Sequence, residues 1–161
     1  MKRITTILAA LLLISLSAFS QNGKSIYQKY SEAEGVSAVY ISPAMFRLIG
    51  KIPDLNVEGE DIDLAPVIQS LTGLYIIDSE NPAINADLKA DAEKFVLSGH
   101  YELLMEAKDS GETVSMYTVG SKDTVTGFVM IAAEQDETTF IFIDGKMNRD
   151  DLDNLLSEAM K

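Results

Sequence analysis

Apolar and polar positions recur along this chain in blocks, and the period of each block assigns it to a helix or a strand. Ile26, Tyr27, Tyr30 and Ala33 fall at helical spacing, with Gly35 placed to stop that helix. Val36 to Ile41 is rich in β-formers and predicts a first strand. Ser42-Pro43 then starts a helix running to about Ile52, because serine caps and proline suits a first turn whose N–H lacks a partner anyway. After a loop from Pro53 to Glu60, Asp61 or Asp63 caps a further helix. Leu64, Val67, Ile68 and Leu71 line one face of it, and Gly73 follows its end. Leu74 to Asp78 is apolar on both faces, the mark of an interior strand. Asn81-Pro82 repeats the cap-then-proline signal ahead of a long helix lined by Ile84, Leu88, Ala92, Phe95 and Val96.

Four strands follow. Tyr101 to Lys108 alternates, with Tyr101, Leu103, Met105 and Ala107 expected on one side and Glu102, Glu106 and Lys108 on the other. Asp109-Ser110-Gly111 turns into Glu112 to Val119, and Gly120 to Asp123 turns again. Val125 to Ala133 and Thr138 to Ile143 are apolar on both faces and are expected deep in the sheet. The two strands with polar faces belong nearer an edge. A final helix is expected from the Asn148 cap, with Leu152, Leu155, Leu156, Ala159 and Met160 as its apolar stripe. The pattern predicts an α+β domain over residues 21–161. Its sheet is expected to be mixed, mostly antiparallel, and of about six strands, ending in a four-strand meander, with helices packed on it and a short C-terminal helix. Any parallel crossover is expected to be right-handed.

The N-terminus is patterned differently. Lys2 and Arg3 precede an apolar run from Ile7 to Leu16, and Ala18-Phe19-Ser20 supplies small residues where a signal peptidase reads. Residues 1–20 are therefore expected to be a signal peptide, and the run is too short to span a bilayer. Removing them takes away two basic residues and no acid, so the net charge moves from −12 to −14. Such a field disfavours nucleic acid and anionic lipid. The chain contains no cysteine, so its fold rests on burial and hydrogen bonding alone.

Candidate chemistry is sparse. His100 is the only histidine and is expected at a helix-to-strand junction. No nucleophile-elbow or phosphate-loop pattern occurs. Zinc, copper and iron lack their usual ligands, and no cofactor is expected. Calcium requires only oxygen ligands, which Glu58, Glu60, Asp61 and Asp63 would supply, although they lack the order of an EF-hand. The helix after Ser42 is greasier than one core contact requires. Met45, Leu48, Ile49 and Ile52 form a tight stripe expected to face the core, while Ala44 and Phe46 widen the apolar arc to roughly 200°. Met45, Phe46, Arg47 and Lys51 are accordingly the candidate interaction surface.

The segments "YSEAEGVSAVYISPAMFRLI", "YELLMEAKDSGETVSMYTV" and "IAAEQDETTFIFIDGKMNRDDLDNLL" span most of the chain after the leader. Together they resemble an exported family of Gram-negative bacteria catalogued as domain-of-unknown-function family 4252. The resemblance implies export to the cell envelope, periplasmic or secreted. Many such proteins carry a lipoprotein cysteine, which this chain lacks, and no catalytic residue carries over. The expected function is that of a non-enzymatic envelope protein binding another envelope protein or itself, with no transmembrane segment once the leader is cleaved. A carboxylate-dependent hydrolase and a calcium-dependent binding module are the alternatives.

Overall fold

The structure, a computed structural model, describes residues 22–49 and 65–150. The expected signal peptide, Lys51, Ile52, the four calcium candidates Glu58, Glu60, Asp61 and Asp63, and the expected helix beyond Asp150 lie outside the described residues.

Helix α1 (Gly23–Tyr30) begins with a capping box. The Ser25 N–H donates to Asn22 Oδ1 at 2.8 Å, and the Asn22 N–H donates to Ser25 Oγ at 3.1 Å. The chain turns at Gly35, whose φ of 74° suits a residue without a side chain, and enters β1 (Val36–Ile41). Helix α2 (Pro43–Ile49) and helix α3 (Ala65–Ser70) follow, and β2 (Leu71–Ser79) continues directly from α3. Here the structure corrects the sequence reading. Leu71 and Gly73 belong to the strand, and Gly73 lies at a register shift rather than at a helix stop. Thr72, Tyr75, Ile76 and Ile77, β-branched or aromatic, outweigh the helical spacing that ends at Leu71.

Helix α4 (Pro82–Ser98) is capped by Asn81, which accepts from the Ala83 N–H at 3.0 Å and donates through its amide to Glu34 O at 2.9 Å. Its far end closes with two hydrogen bonds, His100 N–H to Leu97 O and Tyr101 N–H to Val96 O, at 3.3 and 3.0 Å. This terminating motif normally places glycine where His100 stands, because the residue must be left-handed. His100 has φ 56°, a conformation that disfavours a side chain by about 1–2 kcal/mol.

The meander β3 (Glu102–Asp109), β4 (Glu112–Gly120), β5 (Thr124–Ala133) and β6 (Thr138–Asn148) completes the sheet. The β3–β4 turn puts Ser110 and Gly111 both at positive φ, 48° and 97°, as a tight two-residue hairpin requires. The strand order is β1-β2-β6-β5-β4-β3. Every pairing is antiparallel, so the sheet is not mixed and the crossover rule has nothing to act on. As expected, β5 and β6 are interior and β3 is an edge.

The main core lies on one face of the sheet. Ile26 and Tyr30 of α1 and Leu88, Ala92, Phe95 and Val96 of α4 pack on Tyr75, Ile77, Val129, Ile131, Phe140 and Phe142. Each fully buried aliphatic or aromatic side chain contributes about 1.5–3 kcal/mol relative to exposure. Phe95 meets Phe140 and Phe142 edge-on, with centroids 6.3 and 5.4 Å apart.

Candidate interaction surface

Opposed residues in an antiparallel register share a face, so the pairing defines what the other side of the sheet presents. Val39 pairs with Ile76, Ile76 with Ile141, Ile141 with Met130, Met130 with Met116, and Met116 with Met105. This apolar row crosses all six strands on the face away from α1 and α4. Its four inner members are half-buried, while Val39 and Met105 at its ends are 46% and 45% exposed. Leu74, Ile143 and Phe128 form a second row beside it.

The row ends at β3, which is exposed along its whole length. A register shift between Leu103 and Met105 interrupts the simple alternation expected there. Leu103 opposes Tyr117 on the helix-bearing side, whereas Met105 and Ala107 oppose Met116 and Val114 on the other. The bulge thus presents apolar side chains on both faces of an edge strand, with Leu103 54% and Leu104 56% exposed. Glu106 and Lys108 follow on the helix-bearing side and pair with each other at 2.7 Å.

Helix α2 reverses its expected orientation. Phe46 is 6% exposed and is therefore not part of an exposed surface, although it lies outside the main core cluster. Met45 and Arg47 are exposed, and Leu48, expected to face the core, is 63% exposed. The physical reason is local. Helix α2 is a two-turn helix set against α3 and β2, and the large aromatic ring takes the single covered position in place of the Met45–Leu48 stripe.

Other polar features lie elsewhere. His100, Glu102, Thr118, Val119, Gly120, Ser121, Lys122 and Arg149 line a polar pocket of about 580 Å³. Next to it, Tyr101 meets Phe95 at a tilt of 56° with centroids 5.2 Å apart, and its hydroxyl lies over Gly127, where an added Cβ would stand 2.8 Å away. Burial first, and the Asp144 charge second, push the Tyr101 phenol up to about 12. At the opposite end of the sheet, Thr139 Oγ1 donates to Asp78 at 2.8 Å. Glu137 is held above the usual carboxylate range, first by a hydrogen bond with Asp78 and then by the Asp78 charge. Among the described residues, no cluster of histidine and carboxylate side chains is arranged to hold a metal ion, and no helix is long and apolar enough to cross a membrane.

The class defined by these features is an α+β domain whose antiparallel sheet carries its two core helices on one face and apolar rows on the other. The chain belongs to the family described as Domain of unknown function (DUF4252), whose model matches residues 30–155. The match spans all the strands and brackets both the β3 edge and the apolar rows. No curated protein and no solved structure matches the chain.

Proposed function

We propose that this protein is a non-enzymatic, exported component of a bacterial cell envelope that works by binding protein, and that its β3 edge binds a second copy of the chain. The observation that carries the reading is an edge strand that pairs with no other described strand along one side, with Leu103, Leu104 and Met105 exposed beside it. Such a strand accepts another in antiparallel register.

A second copy matches this edge in charge. Two β3 strands set antiparallel about Ala107 place Glu106 of each opposite Lys108 of the other, on the same face of a continuous sheet. The same two charges disfavour strands lacking that complement, which supplies selectivity. The Leu103–Met105 stretch then flanks the junction, and each copy's Met105 stands diagonal to the other's Ala107.

The experiment is light scattering on the purified protein and on charge variants at about 50 µM, a concentration at which a micromolar association is populated. The parent is expected to be dimeric, Glu106→Lys monomeric because it sets four lysines face to face, and Glu106→Lys with Lys108→Glu dimeric again. A parent that is monomeric, or a dimer indifferent to both variants, would refute self-pairing through β3. The hydrolase alternative draws less support. Among the described residues the one raised carboxylate is Glu137, and neither it nor its partner Asp78 lines the His100–Arg149 pocket.

A further inference from the structure

We infer that the pocket between the end of α4 and the β4–β5 turn is a binding site for a small oxyanion, a phosphate or the carboxylate of an organic acid. The pocket, about 580 Å³, has the size of a small-molecule site. Three segments distant in sequence each bring a cationic or cation-capable side chain to it. His100 comes from the α4–β3 junction, Lys122 from the β4–β5 turn, and Arg149 from just beyond β6. In a chain of net charge −12 this convergence runs against the overall field.

Among the described residues neither Lys122 nor Arg149 makes an ion pair. Among the described residues the Arg149 guanidinium makes a single 3.4 Å hydrogen bond, from Nη2 to Ser121 O, and its buried Nε has no partner. A guanidinium with donors to spare is the usual receptor for a carboxylate or phosphate oxygen. Its position is fixed by the backbone, because the Arg149 N–H donates to Asp123 O at 3.1 Å and ties the end of β6 to the β4–β5 turn.

His100 supplies an independent sign. It occupies the left-handed position where glycine terminates a helix most easily, and it holds that conformation on the pocket rim. Backbone strain kept at a cavity is a mark of use. Glu102 is the one acid of the lining. It opposes a bare anion and is placed to accept from a hydroxyl or amine carried on the same ligand.

The test is a titration of the purified protein with sodium phosphate and, separately, sodium acetate at low ionic strength, followed by amide NMR. Saturable shifts are expected at Ser121, Lys122 and Arg149. Tighter binding of phosphate assigns a phosphate group, and tighter binding of acetate a carboxylate. Lys122→Ala and Arg149→Gln should each weaken binding roughly tenfold, as loss of a charge-assisted hydrogen bond does. Glu102→Gln should tighten phosphate roughly fivefold by removing a like charge at the surface. His100→Gly should raise the melting temperature while weakening the anion, an outcome that a merely structural His100 would not give. Shifts reproduced by chloride at matched ionic strength, or an affinity unchanged in both Lys122→Ala and Arg149→Gln, would overturn the inference.

Discussion

Gly23 offers a sharp contest between two physical effects. It stands at the first position of α1, where alanine has the better helix propensity by up to about 1 kcal/mol. Propensity alone therefore predicts that Gly23→Ala stabilises the protein. Packing predicts the reverse. A Cβ on Gly23 would lie 1.9 Å from Cδ1 and 2.2 Å from Cγ of Phe142. Reaching an ordinary carbon–carbon separation of about 3.5 Å requires a displacement of about 1.6 Å. The ring cannot easily give way, because Tyr75 stacks on it at 5.8 Å and Phe95 meets it edge-on at 5.4 Å. Helix α1 must then lift from the sheet and loosen Ile26 and Tyr30, or the aromatic cluster must shift. Overpacking costs about 1–3 kcal/mol, and an approach of 1.9 Å to a ring held on two sides belongs at the upper end, above the propensity gain. A net loss of about 1–2 kcal/mol is expected, or a melting temperature lower by roughly 3–8 °C. Thermal and urea unfolding measure it, with Lys24→Ala as the exposed control in the same helix, expected within about 0.5 kcal/mol of the parent. A Gly23→Ala protein as stable as the parent, or more so, would show that α1 does not rest on Phe142.

Two further outcomes follow from caps and charges. Asn81→Ala removes both the cap of α4 and the tie to Glu34 O, so unfolding free energy should fall by about 1–2 kcal/mol, with no loss if α4 is held by its apolar face alone. Glu137 has its pKa raised in the fold, so the stability it contributes is present below the ordinary glutamate range, about pH 4, and is lost as pH rises through the raised value. Glu137→Gln should therefore raise the melting temperature relative to the parent at pH 7 and give no gain near pH 3, and an equal effect at both would remove the Asp78–Glu137 coupling.

Much of the architecture was legible because local chemistry and tertiary need agree. Asn81-Pro82 does open α4, Ser110-Gly111 does turn tightly, and strands apolar on both faces do lie inside. Strand pairing was not legible. Nothing in residues 138–148 says that they insert between β2 and β5, because an apolar strand suits any interior slot. The bulge at Leu104 was likewise hidden, since alternation read straight through it puts Leu103 and Met105 on one face. On α2, periodicity found the apolar arc but not its orientation, which depends on the one neighbour that a two-turn helix has room to meet. The His100–Arg149 pocket escaped for a different reason. Its cations lie on three segments, and only the antiparallel order brings the end of β6 beside the β4–β5 turn.

That same order dictates when the fold can close. Of the described strands, β6 is synthesised last, yet it stands between β2 and β5 and pairs with both. Until Thr138 and the residues beyond it emerge from the ribosome, the β1–β2 pair and the β3–β4–β5 meander are separate pieces with bare edges. A nascent chain stalled at any earlier point has no route to the finished sheet. Closure of the sheet therefore waits until β6 has been delivered, and before that the two pieces can only fold apart.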